Sequence, residues 1–307
     1  MKIVSLLPSA TEIVCELGLH DQLVGVSHDC DWPPEVQDER PVVSTAVVSG
    51  DESSRQIDDV ITERIHQGLS VYHLDQDLLA QLEPDVILTQ ELCEVCAPSF
   101  DEVQRAARVL HGDVEIVSLE PTSLDDVLDT IRIVGNATGH EERAQTVIER
   151  LSDRIDRVRD RADGMSERPR TLAIEWLDPL FVGGHWVPEM IELAGGEPMN
   201  APGEPSEQIE WADVARFDPE IIVIMPCGFT PDRTDEELDL LTDHDLWPDL
   251  KAVKGDRVHV VHGSFYFNRP GPRLVTGLEI LATLLHPDDF GDLELPKDAV
   301  YPVASPW

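Results

Sequence analysis

Cysteine and histidine side chains in this 307-residue chain stand at spacings that suit a metal site. Cys93 and Cys96 are separated by two residues, which allows both thiolates to bind one soft metal ion such as zinc or iron. His28 and Cys30 form a second short motif, and Cys227 is a further candidate ligand. The same cysteines also suit a redox pair or ordinary buried thiols, so a metal-site or redox protein is one functional hypothesis.

Aromatic residues gather in the loops that follow predicted strands. Rings in such loops can line the binding site of a large, flat or apolar ligand. They can equally well cover the hydrophobic core of the domain to which they belong. Arg269 lies in a proline-rich loop and could bind an anionic group or pair with an acid, or it could have only a surface role. The predicted ligand-binding set combines these rings with polar loop residues: Pro8, Ser9, Trp32, Gln90, Glu91, Trp176, Gly184, Trp186, Phe229, Phe265, Tyr266 and Arg269.

Motifs typical of common enzymes are absent from the sequence. It contains no G-x-S-x-G nucleophile motif, no phosphate-binding loop and no dinucleotide glycine fingerprint, and the pair Gly183-Gly184 is too short to be one.

Two stretches of the chain repeat one order of predicted elements. Each opens on an apolar strand, at 3–7 and at 171–176, and each later passes through a Pro-acid pair, Pro84-Asp85 or Pro219-Glu220, into a buried strand. After the first strand, Ser9 and Glu12 stand at the spacing of a capping box. Strands that alternate with helices predict parallel sheets.

A long amphipathic helix is predicted between the two stretches, over 141–163. This segment contains no Gly or Pro and places Val147, Leu151, Ile155 and Val158 on one face. The predicted fold is α/β, with two Rossmann-like lobes joined by the helix and a ligand cleft between the lobes, since ligands of open parallel sheets bind beyond the carboxyl ends of the strands. The predicted domains are an N-terminal lobe, a helical linker, a C-terminal lobe and a tail, at 1–120, 121–165, 166–285 and 286–307.

The chain carries a formal net charge of −38, with 61 acidic and 23 basic residues. Such a surface repels nucleic acid and anionic lipid, and its self-repulsion would be relieved by concentrated salt, so we expect a halophilic protein. No run of 18 apolar residues is present, and no membrane span is expected. Because the chain starts without a signal region, a cytoplasmic location is predicted, or an extracytoplasmic one if a leader was removed.

Three segments together resemble a known family. They are the opening at 3–36, the L-x-x-L-x-P-D-V-I-L segment at 79–88 and the closing segment at 267–281. Over residues 1–285 the chain resembles the helical-linker, or class III, substrate-binding proteins of ABC transporters, in the iron-siderophore and cobalamin group. It is most similar to the cobalamin-binding members.

The resemblance implies a function and partners. It implies non-enzymatic binding of cobalamin or a related corrinoid or metal chelate, with Trp32, Trp176, Trp186 and Phe265 against the corrin ring. An ABC permease would be the protein partner, docking on acidic rim residues such as Glu91 and Glu197. The cysteines at 30, 93, 96 and 227 depart from the family's pattern and indicate an intracellular branch with altered site chemistry.

Overall fold

The computed structural model describes residues 1–48, 50–67, 69–90 and 114–301. The chain divides into two compact units. The first comprises Met1–Glu52, Gln56–Pro121 and Asp125–Arg150, and the second comprises Ser53–Arg55, Thr122–Leu124 and Leu151–Trp307. The predicted loop at 91–100 and helix at 101–112, with Glu91, Cys93 and Cys96, lie outside the described residues.

The first unit contains a four-stranded parallel sheet in the order β2-β1-β5-β6 and a small antiparallel pair, β3 and β4. The strands are β1 (Ile3–Ser5), β2 (Leu23–Val26), β3 (Ser44–Ala46), β4 (Tyr72–Leu74), β5 (Val86–Thr89) and β6 (Glu115–Ser118). Within the described residues, the helices before β6 are α1 (Pro8–Glu16), α2 (Val36–Glu39), α3 (Ser54–His66) and α4 (Gln76–Leu82).

One core cluster of the first unit lies on one face of this sheet. Buried side chains from β1, β4, α4 and β5 meet there, among them Val4, Leu74, Leu79 and Ile87. Strand β5 is buried at all four positions, as the continuous apolar run of its sequence predicts for the centre of a parallel sheet.

Two helices follow the first sheet, α5 (Leu124–Thr138) and α6 (Glu141–Ala162). The predicted long helix is confirmed, with acids in its first turn and Arg159 and Arg161 in its last turn, the arrangement that suits a helix dipole. The division between the two units falls within α6. In the first unit Arg150 pairs with Glu16 at 2.5 Å, and in the second Arg154 pairs with Glu279 at 2.6 Å.

The second unit contains a seven-stranded sheet in the order β10-β8-β7-β11-β12-β13, with β9 also paired to β7. The strands are β7 (Arg170–Trp176), β8 (Phe181–Val182), β9 (Glu197–Pro198), β10 (Glu207–Gln208), β11 (Ile221–Ile224), β12 (Val258–Val261) and β13 (Val300–Tyr301). The helices are α7 (Trp186–Leu193), α8 (Trp211–Phe217), α9 (Pro231–Asp235), α10 (Asp239–Thr242), α11 (Lys251–Lys254), α12 (Gly263–Tyr266), α13 (Leu274–Leu285) and α14 (Pro287–Phe290).

The core of the second unit packs around the central strands of this sheet. Leu172 and Ile174 of β7 join Ile222 and Ile224 of β11 in one buried cluster, which Trp247 closes. Alternate residues of β7 therefore face this cluster, and the residues between them face the opposite side of the sheet.

The two Pro-acid pairs occupy equivalent places in the two units. Glu83 ends α4 and Asp218 ends α8, each in the left-handed conformation, with φ of 50° and 46°. The acid after each proline then accepts a backbone N–H at the start of the neighbouring strand, Lys2 to Asp85 at 2.7 Å and Arg170 to Glu220 at 3.1 Å. The internal repeat predicted from sequence therefore includes the same left-handed helix end and the same hydrogen bond from a backbone N–H to the acid in both units.

Three sequence predictions are corrected by the structure. Helix α1 begins at Pro8 after Leu7 and has no side-chain cap, so the capping box at Ser9 is wrong. The second sheet is mixed, because β8, β10 and β13 pair antiparallel at its edges. The segment predicted as a tail supplies α14 and the strand β13, which pairs with β12.

In the part of the chain that the structure describes, no helix is both long enough and apolar enough to cross a membrane.

Candidate functional site

Cys30 belongs to a buried polar network at the carboxyl ends of β1 and β2. Thr11 Oγ1 lies 2.8 Å from Ser5 Oγ and 3.0 Å from Cys30 Sγ, and Ser27 Oγ lies 3.2 Å from the same sulfur. Burial raises the pKa of the Cys30 thiol to about 11. Because the thiolate is the metal-binding and nucleophilic form, this environment suits a packing role for Cys30 and disfavours ligation.

His28 is hydrogen-bonded at one ring nitrogen, and its Nε2 is buried without a hydrogen-bond partner among the described residues. Its Nδ1 lies 2.8 Å from Ser44 Oγ, and its Nε2 lies 3.4 Å from Asp29 Oδ2. The ring also packs on Tyr72 with 5.0 Å between centroids. A metal ion at Nδ1 would have to displace the contact with Ser44.

The predicted metal site receives no support from the described part of the chain. No group of three or more His, Cys, Asp or Glu side chains there is arranged to hold a metal ion. Cys227 is exposed in the second unit, whereas Cys30 is buried in the first. Cys93 and Cys96 lie outside the described residues, so their part of the prediction remains a prediction.

The other predicted site residues of the first unit differ in exposure. Pro8 and Ser9 are buried in the first turn of α1, and Gln90 is 5% exposed just after β5. Trp32 is 39% exposed in the loop after β2. Pro8, Ser9 and Gln90 are therefore buried near strand ends, whereas the Trp32 side chain is exposed.

Trp176 and Phe229 form one aromatic cluster in the second unit, at the ends of β7 and β11. Their ring centroids lie 5.1 Å apart, and the guanidinium carbon of Arg233 lies 4.4 Å from the centroid of Phe229. Trp176 is partly exposed and Phe229 is buried. The structure therefore brings together two of the rings predicted at this edge.

Phe265 and Tyr266 form a second aromatic cluster after β12. The ring of His262 stacks on Phe265 at 3.8 Å with a 7° angle, and Arg273 lies 4.4 Å from the same ring. Burial raises the pKa of Tyr266, whose hydroxyl donates to Asp298 at 3.1 Å. Side chains of the same unit therefore already contact both rings.

Arg269, on the loop between α12 and α13, is partly buried.

Gly184 lies in a tightly packed loop ahead of α7, and Trp186 is the first residue of that helix. A Cβ on Gly184 would meet the backbone of Ser206 at 2.2 Å, so only glycine fits there. Trp186 is 7% exposed and donates from Nε1 to the carbonyl of Phe267 at 2.7 Å, which makes it a support of the site's loops. His185 between them has a positive φ of 52°, an uncommon conformation for a residue with a side chain.

Glu175 is a residue that the sequence predictions missed. Its two carboxylate oxygens each lie 3.0 Å from Ser206 Oγ, and Ser206 Oγ accepts the backbone N–H of Gly184 at 3.1 Å. Burial raises the pKa of Glu175 to about 7, against the lowering effect of hydrogen bonds from Ser206 and Gly184. An acid near the end of an otherwise apolar strand, TLAIEW, was the available signal.

A family model of the periplasmic binding proteins matches residues 3–264. The chain belongs to this family. The match confirms the resemblance that the sequence predicted. It also confirms the predicted two-lobed α/β fold of this periplasmic binding protein.

Curated relatives cover nearly the whole of this periplasmic binding protein. An ABC transporter substrate-binding lipoprotein of Bacillus subtilis is 26% identical over 296 residues, with 94% of this chain and 81% of the relative covered. A vitamin B12-binding protein of Vibrio cholerae is 24% identical over 290 residues, with 92% and 88% covered. The periplasmic heme-binding protein of Roseiflexus has a similar structure, with a TM-score of 0.69, 23% identity, and 93% and 98% of the two chains covered.

Several functional predictions are settled at the level of the family. The chain is a substrate-binding protein of an ABC transport system and not an enzyme, as predicted.

Proposed function

We propose that this periplasmic binding protein binds cobalamin or a related corrinoid and presents it to an ABC permease. The observation that carries this proposal is the match of 92% of the chain to vitamin B12-binding proteins. The substrate would be a neutral, bulky chelate. Aromatic side chains suit such a ligand because they provide a large contact area on binding.

The placement of the rings supports the proposal. Trp32 follows a strand of the first parallel sheet and is 39% exposed, and Trp176 ends the central strand of the second sheet and is partly exposed. In open α/β sheets ligands bind beyond these strand ends. The buried Trp186 and Phe229 would support the contact surface without forming most of it.

The proposed location is outside the cytoplasm, the second of the two predicted locations. One relative carries the name of a lipoprotein and the structural relative is periplasmic. The proposed docking residue for the permease is Glu197, an exposed acid on the edge strand β9, since an exposed carboxylate can pair with an arginine of a partner. The second docking candidate, Glu91, lies outside the described residues.

Isothermal titration of the purified chain tests the ligand. Cyanocobalamin should bind in a saturable way with one molecule per chain, in a buffer with concentrated KCl. Hemin and a ferric siderophore, titrated in parallel, represent the other chelates of this class of proteins. Absence of cyanocobalamin binding, with saturable binding of hemin or the siderophore, would replace the corrinoid by that chelate.

A further inference from the structure

Glu175 lies where a ligand of the second unit would meet the protein. It is the penultimate residue of β7, the strand that pairs with β11 in the middle of the sheet, and it precedes the partly exposed Trp176. Leu172 and Ile174 face the core cluster, so the side chain of Glu175 points to the opposite side of the strand. Ligands of this type of sheet bind at such strand ends.

The carboxyl group of Glu175 has few partners. The Ser206 hydroxyl donates to it and the backbone N–H of Gly184 adds a weaker contact. A carboxylate has about four acceptor positions, so these two donors leave capacity for another. Within the described chain no Lys, Arg or His side chain forms an ion pair with Glu175.

The backbone passes close to the group at Gly183. A Cβ at Gly183 would lie 3.2 Å from Glu175 Oε2, so the glycine at this position keeps a side chain away from the carboxyl group. The neighbouring titratable groups are His185, which follows the two glycines, and Glu204 and Glu207, which flank Ser206 in the chain and are exposed. Burial lowers the pKa of His185, which therefore adds no positive charge near neutral pH.

An unpaired, partly buried carboxyl group selects ligands by charge. It can accept a hydrogen bond from an amide N–H and, when protonated, can donate one to an amide carbonyl. A ligand carboxylate at the same place would meet like charge in a desolvated site, which is unfavourable. Corrinoid side chains end in neutral carboxamides, whereas heme and many siderophores carry carboxylates.

We propose that Glu175 is a specificity-determining residue, which hydrogen-bonds a neutral carboxamide of the ligand and disfavours chelates with a carboxylate at that position. This inference rests on the proposed corrinoid function. The raised pKa of Glu175 is consistent with it, because a value of about 7 keeps the carboxyl group able both to accept and to donate near neutral pH.

A matched set of ligands tests the assignment. Cyanocobalamin and its monocarboxylic acids differ by the conversion of a single amide to a carboxylate, and each is titrated into the wild-type chain, Glu175→Gln and Ser206→Ala near pH 8. In the wild type at least one of the acids should bind about tenfold more weakly than cyanocobalamin, the effect of one pKa unit. Glu175→Gln should reduce that penalty to about threefold or less, while Ser206→Ala, which keeps the acid, should retain it.

A second measurement needs no substitution. Near pH 6 the wild-type carboxyl group is mostly protonated, so the penalty for the same acid should shrink towards that of Glu175→Gln. An equal penalty in the wild type and Glu175→Gln, or none in the wild type, would overturn the assignment and leave corrinoid binding intact. Failure of the wild type to bind any corrinoid would overturn the proposed function together with this inference.

Discussion

Arg154 donates to both carboxylate oxygens of Glu279, with Nε 3.0 Å from Oε1 and Nη2 2.6 Å from Oε2. The same Nη2 also reaches Thr276 Oγ1 at 2.9 Å. This joins the second half of the long helix α6 to α13 within the second unit. The pair is partly buried, with side-chain exposures of 23% and 15%, and its bidentate geometry is the strong form of an Arg–carboxylate contact.

Glu279→Gln should lower the free energy of unfolding by about 1–3 kcal/mol, because it removes a charged acceptor from a partly buried guanidinium. Urea denaturation measures the change. Asp156→Asn is the matched control, since it removes the exposed ion pair with Arg159 on the same helix and should cost about 0.5 kcal/mol or less. Equal losses in the two variants would show that the Arg154–Glu279 pair is an ordinary surface contact.

Cys30 and Cys227 should react very differently with iodoacetamide in the folded protein. With a pKa of about 11, the Cys30 thiol is roughly one part in a thousand thiolate near pH 8, and its burial also blocks the reagent. Cys227 is exposed and should be alkylated quickly. Peptide mass analysis separates the individual cysteines, and labelling in urea should make both reactive. Equal labelling of the two in the folded chain would contradict the buried network around Cys30.

Much of the fold could be predicted because its signals are local in sequence. The long helix was predicted over 141–163 and is observed over Glu141–Ala162, since helix formers and apolar spacing define it without help from the rest of the chain. Pro84 and Pro219 likewise mark the strands that follow them, because proline disrupts a helix that is already under way. The short strands β8 and β10 were missed, since two residues are too few to show an alternating pattern.

Much less of the candidate site could be predicted, because its chemistry depends on contacts between distant segments. Ser206 is 31 positions from Glu175, and its hydroxyl reaches the acid through tertiary packing that spacing does not reveal. The motif His28-x-Cys30 looked like a ligand pair, yet Ser44 and Thr11 contact these side chains. A sequence shows which residues carry donor atoms, and only the fold shows which of those atoms are already engaged.

Trp32→Ala should weaken cyanocobalamin binding by about tenfold or more, as for truncation of an aromatic anchor at an interface. Its thermal midpoint should stay close to that of the wild type, because Trp32 is 39% exposed. Trp186→Phe is the comparison, since it removes the buried hydrogen bond to Phe267 and should lower the thermal midpoint. Calorimetric titration and thermal unfolding separate the two effects. Unchanged affinity in Trp32→Ala would remove this residue from the ligand site.

The acidic surface should make the stability of the chain depend on salt. With a net charge of −38, repulsion between carboxylates opposes the compact state, and screening shortens its range from about 10 Å at 0.1 M to about 3 Å at 1 M salt. Increasing KCl over this range should raise the thermal midpoint by roughly 10 °C or more. Glycerol at matched osmolality is the control for non-ionic effects. A midpoint that does not change with KCl would contradict the predicted adaptation to concentrated salt.

Glu175 should also give the folded chain a characteristic dependence of stability on pH. Its folded pKa of about 7 lies above the ordinary value of 4.5, so between these two values the folded state binds the proton more tightly than the unfolded state. Its contribution to the free energy of unfolding is therefore largest below about pH 4.5, falls as the pH rises to about 7, and is constant above that. Glu175→Gln lacks this contribution. Its free energy of unfolding relative to the wild type should rise by roughly 1–3 kcal/mol between pH 5 and pH 8, as measured by urea denaturation. Glu197→Gln, at an exposed acid, should show no such trend. The same trend in both variants would mean that burial of Glu175 does not control its protonation.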